Sequence, residues 1–439
     1  MSEYSKEKLE HLHIQLQSHP RARDQVVATT DFIEGSIIFA QHALATALFP
    51  AEKGRRCDAC SRLAYDQALR RCSGCAEYYY CDEHCQRNHW QKNHKRICKL
   101  YSSFSASLGS LPEHSRMDAI LLSHLLAQVT PNDLTTDSSP VQTLLSLLPS
   151  PQEENPAPQV CFVPQFVPSI LVQTLFVRFQ NNNFAMHSHL STFGHGIFPL
   201  ASRLFNHSCV PNAAARYILR PRESVRMEVV ALRPISAGEE ICIPYVDPAL
   251  LETRQQIFKL SYGFECRCSS CQFLSRISKN QLPSEASPDS SELEAGLREF
   301  SGVDEGSITR LRTSILPDTI PSHLHPAFKE AFISSLSKKF ADAAHDGPYD
   351  VAEKAGAALL ALYLMIYPDN YPQVGMHLLE LAKVVWNDIV KNGEDRVKRR
   401  TARNYATAAR GVLAVFGEEG DEGGPLSELA MLEDLLWNS

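Results

Sequence analysis

An α+β protein is predicted, with a β unit split by a cysteine-rich insert and a helical C-terminal region. Three observations carry this. Strand-like segments occur in two separated stretches, residues 24–48 and 190–262. Seven of the thirteen cysteines crowd between Cys57 and Cys98, and from about residue 290 apolar residues recur at three- and four-residue spacing. The 439 residues, 44% hydrophobic and 21% charged, have ordinary globular composition, which excludes a fibrous or wholly disordered chain. A chain of this length suits roughly two to four domains.

The formal net charge of −7 is mild, so no whole-molecule field draws the protein to nucleic acid or to an anionic membrane. No apolar run approaches the ~20 residues of a membrane helix, and MSEYSKEKLEHLHIQLQ lacks the apolar centre of a signal peptide. A soluble, intracellular protein is expected, with reduced cysteines that read as metal ligands before disulfides.

Taken in order, DQVVATTDFIEGSIIFAQHALATAL (24–48) reads as two strands joined by a turn at Glu34-Gly35. Residues 115–129 carry a helical apolar pattern through Ile120, Leu121, Leu125 and Leu126. The Pro- and Ser-rich stretch at about 130–160 reads as a mobile loop. Strand-like segments resume in 190–262 with RMEVVAL and EEICIPYV, and LSRISKNQLPSEASPDSSELE reads as a polar linker. Beyond it, Leu378, Leu379, Ala382, Val385, Trp386 and Ile389 form one apolar helix face, and Tyr405, Ala408, Ala409, Val412, Leu413 and Val415 another. Together these suggest a TPR-like helix array without a strict 34-residue period.

Cys57-x2-Cys60, Cys72-x2-Cys75, Cys81-x3-Cys85 and His94-x3-Cys98 supply eight ligands, enough for two tetrahedral zinc sites. A segment this short buries too little apolar surface to fold alone, so the metals are structural. CDAC, CSGC, YYYCDEHCQRNHW and HKRIC, with Gln86 and Trp90, closely resemble a MYND finger. The resemblance implies interleaved ligation: Cys57, Cys60, Cys81 and Cys85 on one zinc, and Cys72, Cys75, His94 and Cys98 on the other. His84 and His89 are then surface or packing residues. Eleven Lys or Arg against five Asp or Glu between Lys53 and Lys99 make either a solvated face or a basic docking surface for nucleic acid or an acidic partner. Related fingers hold proline-rich peptides.

Asn206-His207-Ser208-Cys209-x-Pro211-Asn212, then Gly238-Glu239-Glu240-Ile241 and Tyr245, then Tyr262-Gly263-Phe264-x-Cys266-x-Cys268-x2-Cys271, resemble in this order a SET domain and its post-SET tail. With the finger between the two β halves, the chain is identified as a member of the SET-and-MYND family of protein lysine methyltransferases. The resemblance implies a split SET β-fold with an inserted MYND zinc finger, a post-SET zinc tail and a C-terminal TPR-like helical domain. The expected boundaries are 1–52 for the first part of the SET domain, 53–99 for the finger and 100–189 for a helical SET insert. The SET core follows at 190–264, the post-SET motif at 265–275 and the helical domain at 290–439.

It further implies transfer of a methyl group from S-adenosylmethionine to a protein lysine, on a histone or another protein, by a monomer in nucleus and cytoplasm. Tyr245 and Tyr262 are the implied catalytic residues, and Phe184 lines the lysine channel with them. Arg23, Asn182, Asn206, His207, Tyr245 and Phe264 are the implied cofactor contacts. An aromatic channel suits the task, because burial favours the neutral amine that attacks. Cys266, Cys268 and Cys271 need one more ligand for a tetrahedral zinc, and Cys209 is the natural fourth. Three zinc ions result, leaving Cys161 and Cys242 as buried thiols.

One stretch departs from the family. Where members carry a Gly-x-Gly turn that approaches the cofactor, this chain has Arg23-Asp24-Gln25, and loss of glycine removes its conformational freedom. The alternative reading is therefore a weak or inactive SET-fold scaffold that binds partners through the finger and the C-terminal helices. A groove-reading nucleic-acid protein fits the finger spacing less well.

Overall fold

β-branched and apolar residues at alternating positions build two antiparallel three-stranded sheets. In the first, β3 (Ile37–His42) pairs with β11 (Arg226–Ala231), which pairs with β10 (Ala213–Ile218); in the second, β4 (Ala45–Leu48) pairs with β8 (Ser191–Ile197), which pairs with β7 (Asn183–Ser188). A hairpin of β1 (Ile14–Ser18) and β2 (Asp24–Ala28) and a short parallel pair, β9 (Asn206–His207) with β12 (Cys242–Ile243), complete the β unit. Each three-stranded sheet joins strands from both sides of the insert. The computed structural model describes residues 9–65, 68–151, 154–280, 290–302 and 319–438.

Residues 24–48 thus hold three strands, not two, and β2 pairs with β1 while β3 crosses to β11. Gly35, at φ +78, makes the turn between them. The SET core also starts earlier than residue 190, because β7 opens at Asn183.

Between the β halves, the finger contributes β5 (Arg70–Arg71), β6 (Tyr79–Tyr80) and α1 (Glu83–His89), whose N-terminus Asp82 caps by accepting from the Cys85 N–H. A wider helical turn, Trp90–His94, leads into α2 (Lys95–Ser107). The insert follows as α3 (Glu113–Gln128), α4 (Pro131–Thr135), α5 (Pro140–Leu145) and α6 (Ser169–Phe179). Finger and insert share one core: Tyr78, Tyr80 and Ile97 are buried in the same cluster as Leu121, Leu125, Phe179 and Ala47 of β4.

The expected mobile loop at 130–160 is corrected by α4 and α5. A capping box between Thr130 and Asp133 starts α4, Ser139 caps α5, and Pro131 and Pro140 stand where a helix needs no N–H. Val141, Leu144 and Leu147 anchor the segment in the core. The expected linker is corrected at both ends, by α9 (Ser269–Asn280) and α10 (Ser290–Ser301); its middle, 281–289, lies outside the described residues.

After β9 and α7 (Pro199–Leu204), the chain passes through α8 (Arg254–Ile257) and a wide turn, Phe258–Tyr262, into the post-SET tail. The C-terminal region packs α11 (Glu330–Asp346), α12 (Tyr349–Ile366), α13 (Pro372–Asn392), α14 (Arg396–Phe416) and α15 (Pro425–Asn438) as successive neighbours. Its core takes in Ala214, Leu232 and Leu251 of the SET side. Among the described residues no helix is long and apolar enough to cross a membrane.

The segment joining α14 to α15, residues 417–424, is laid against two other parts of the molecule. Glu419, 3% exposed, accepts the His189 N–H at 2.6 Å, and its other oxygen lies 2.9 Å from His187 Nδ1 on β7. Asp421 takes Arg56 Nη1 at 2.6 Å and the Leu63 N–H at 3.1 Å, both from the finger. Between them Gly420, at φ +111, approaches so closely that a Cβ there would sit 2.7 Å from the Leu219 backbone nitrogen. We refer to 417–424 as the acidic strap.

Candidate active site and metal centres

Three tetrads of ligand atoms form, each with all members within 4.8 Å: Cys57, Cys60, Cys81, Cys85; Cys72, Cys75, His94, Cys98; and Cys209, Cys266, Cys268, Cys271. A tetrahedral zinc with Zn–S of about 2.3 Å holds its sulfurs about 3.8 Å apart. The observed separations suit it: Cys60–Cys81 at 3.5 Å, Cys72–Cys98 at 3.8 Å, Cys209–Cys266 at 3.8 Å and Cys209–Cys271 at 3.5 Å. His94 presents Nε2, 3.3 Å from Cys72 and 3.5 Å from Cys75. Burial pushes its imidazole down to about 4, leaving it neutral and able to ligate. The tetrads fit three zinc ions. Cys161 and Cys242 are half-buried where buried thiols are expected, Cys161 at the edge of the core shared by finger and insert.

Within the finger, two of the eleven cations expected at a basic surface are turned inward. Lys53 pairs with Asp58 over the Tyr78 ring, and Arg56, 5% exposed, lies between Asp421 and Glu52. His89 is buried and accepts from the Tyr80 hydroxyl at 2.9 Å, while His84 is exposed.

The third tetrad adjoins a cluster of rings. His207 Nδ1 accepts the Tyr245 N–H at 3.0 Å, so the ring proton sits on Nε2, which points at Cys209 Sγ 3.2 Å away. Burial lowers the His207 pKa and keeps the ring neutral. One imidazole thus joins a zinc ligand to the backbone of Tyr245. The Tyr245 hydroxyl donates to the Phe205 carbonyl at 2.7 Å, and the Tyr245 and Tyr262 ring centres are 5.1 Å apart. Burial first, then the neighbouring Tyr262, holds the Tyr245 hydroxyl protonated well above the usual tyrosine range. Phe264 stacks on Phe258 at 5.1 Å and 18°, with its ring half-exposed.

Tyr245, Tyr262 and Phe184 line one cavity of about 510 Å³, together with Asn182, His187 and Asp247 of the SET side and Tyr371, Gln373 and Phe416 of the helical domain. Phe184, on β7, is held edge-on to Phe198 at 5.8 Å. Asp247 accepts the Tyr367 hydroxyl at 3.0 Å and, among the described residues, is the one carboxylate in a lining without Lys or Arg.

The expected cofactor contacts need one correction. The Asn206 side-chain nitrogen is spent inside the protein, donating to the Asp24 carbonyl at 2.7 Å and to Glu240 Oε1 at 2.8 Å. Both His207 nitrogens are likewise engaged, so the side-chain nitrogens expected to face the cofactor are occupied within the protein. Asn182 Nδ2 donates to the Arg178 carbonyl at 2.6 Å, closing the end of α6, and Asn183 does the same to Phe179 at 2.9 Å. Arg23 donates to the Ser146 carbonyl at 2.5 Å and lies 3.7 Å from Asp24, which is also bound by Arg203. Arg203 carried no signal in the sequence, because its role comes from a contact with Asp24 distant along the chain.

The chain matches the SET domain family over residues 24–246, just over half its length. It belongs to that family. N-lysine methyltransferase SMYD2-A of Xenopus laevis is 28% identical over 255 residues, which is 56% of this chain and 57% of the relative. Histone-lysine N-methyltransferase ASHR1 of Arabidopsis thaliana is 28% identical over 267 residues (57% and 53%), and histone-lysine N-methyltransferase SMYD1 of Homo sapiens 28% over 281 (56% and 53%). The chain spans little more than half the length of these curated relatives. SET membership implies S-adenosylmethionine as cofactor, and the half-exposed aromatic ring of Phe264, beside Tyr245 and Tyr262, is a surface that suits its adenine.

Proposed function

We propose that this protein is an S-adenosylmethionine-dependent protein-lysine N-methyltransferase. The observation that carries the reading is the pairing of Tyr245 and Tyr262 on the wall of a cavity lined also by Phe184, one end of which is tied to the third zinc tetrad through His207. S-adenosylmethionine supplies an electron-poor methyl group when bound. The chain's own residues do the rest. Phe184 and the two tyrosines exclude water from the lysine stem and favour the neutral amine. The Tyr245 hydroxyl, fixed by its bond to the Phe205 carbonyl, keeps oxygen lone pairs for the amine and the transferring methyl. Holding both partners in line supplies much of the rate. Asp247 favours entry of a cationic side chain.

Relatives named for N-lysine and for histone-lysine methylation support protein lysines as the substrate class, histone or non-histone. A monomer acting in nucleus and cytoplasm is part of the same proposal, as is a proline-rich peptide or nucleic acid at the finger. The test is calorimetry of S-adenosylmethionine on the zinc-loaded protein, with Asn206→Ala as control, followed by labelled-methyl transfer to histones and to a denatured lysate. Binding lost in the control and label on lysine support the reading. Absence of binding to the wild type overturns it in favour of a scaffold, with Arg23-Asp24-Gln25 as the disabling change.

A further inference from the structure

Arg254 is the largest side chain that the fold buries completely, at 0% exposure. Its Nη1 donates to the Pro248 carbonyl at 2.7 Å and its Nη2 to Ser270 Oγ at 2.8 Å, while Nε is buried with no hydrogen-bond partner. Among the described residues no carboxylate pairs with it. A buried cation left uncompensated is strongly destabilising, so opposite charge is to be sought nearby. Ser270 immediately precedes the ligand Cys271, and Arg254 lines one cleft together with the ligands Cys266 and Cys271. Four thiolates around one Zn²⁺ carry a net charge of about −2. Each charge is what the other lacks.

The next residue acts on the same centre by a different contact. Gln255 Nε2 donates to the Cys266 carbonyl at 2.7 Å, and its Oε1 accepts the Cys266 N–H at 3.2 Å. Both backbone groups of one ligand are thereby satisfied by a single side chain, as a neighbouring strand would do. Arg254 and Gln255 start α8, and that helix runs directly into the wide turn that ends at Tyr262.

We propose that Arg254 is the resident counter-ion of the third zinc centre and that Arg254 and Gln255 together are positioning residues, holding the post-SET tail so that Tyr262 stands at the cavity with Phe264 beside it. The proposal rests on the reading that the third tetrad holds zinc. Charge is the property of Arg254 that matters, and geometry that of Gln255.

The experiment uses the full chain. Native mass spectrometry counts zinc, and a chromophoric chelator follows its release, with Cys209→Ser marking the phase that belongs to the third ion. Arg254→Gln is expected to release that ion about tenfold faster or more and to weaken S-adenosylmethionine binding in calorimetry. Arg254→Lys is expected to stay within about threefold of wild type, and Gln255→Ala to fall between. Unchanged release in a folded Arg254→Gln protein with three zincs overturns the proposal. So does an Arg254→Lys protein as labile as Arg254→Gln, because charge alone would then not suffice. Should Arg254→Gln fail to fold, a stable three-zinc Arg254→Lys protein supports the proposal and an unstable one overturns it. Two zincs in the wild type would instead remove the zinc reading beneath it.

Discussion

His207 is the residue on which the site turns, since its two nitrogens serve different masters: Nδ1 fixes the backbone of Tyr245 and Nε2 faces the thiolate of Cys209. Removing either end should therefore show at the other. In Cys209→Ser the zinc count should fall from three to two, and S-adenosylmethionine affinity should drop with it, measured by mass spectrometry and calorimetry on one preparation. Tyr245→Phe should act differently. It loses one hydrogen bond to the Phe205 carbonyl, a cost of about 1–2 kcal/mol, so folding and zinc content should persist while methyl transfer falls by about 10²-fold. Wild-type turnover in that variant would remove Tyr245 from the chemistry. At this scale the three ligand tetrads were legible in the sequence, because a metal demands particular residue types at particular spacings. Arg254 was not, since an Arg-Gln-Gln run looks like any solvated helix face until its contacts are seen.

Elements were legible where a single periodicity dominates and illegible where local caps decide. Helices α13 and α14 stand where the apolar spacing puts them. The stretch at 130–160 misled because Pro and Ser suggest a loop, whereas Pro131, Ser139 and Pro140 occupy helix-starting positions in which those residues are favourable. Strand β2 misled for another reason: its partner β1 is a short alternating run, Ile14-Gln15-Leu16-Gln17, outside the stretch read as strands, and pairing is a property of two segments. One element-scale consequence concerns acid. His377 on α13 is buried and donates Nε2–H to the Gly356 carbonyl of α12 at 2.8 Å, and burial pushes its pKa down from 6.5 to about 4. The folded form thus binds fewer protons than the unfolded form between those values. Its contribution is complete above pH 6.5 and is lost as pH falls toward 4, by up to on the order of 3 kcal/mol. In His377→Gln, which keeps a donor and cannot titrate, the midpoint of urea unfolding should vary less between pH 7 and pH 5 than in the wild type. An identical slope in both would assign the acid sensitivity elsewhere.

Across the whole molecule the acidic strap is the contact that no sequence pattern announced, for GEEGDEGG reads as an exposed, flexible run. Its burial depends on Arg56 and Arg62 from the finger and on His187 and His189 from β7–β8, all more than 200 residues away. Asp421→Asn keeps an acceptor for the Leu63 N–H but removes the charge facing Arg56, which retains only Glu52 and the Ser61 carbonyl. A loss of about 2 kcal/mol is expected, with faster hydrogen exchange in residues 417–424 and earlier proteolytic cleavage after Phe416. Exchange at the wild-type rate would mean that the Glu419 and Glu422 contacts hold the strap without the Arg56–Asp421 pair.

Glu419 and Asp421 are separated by a single glycine, a span of about 7 Å of extended chain. One of them touches His187, which lines the cavity, and the other touches Arg56, which precedes the first finger ligand Cys57. Finger, SET core and helical domain are therefore joined not as beads on a string but as a closed ring, with the strap as its clasp. In a ring no joint opens alone: any outward swing of the helices that widens the cavity must also pull on the finger, and a molecule that grips the finger stiffens the mouth of the cavity.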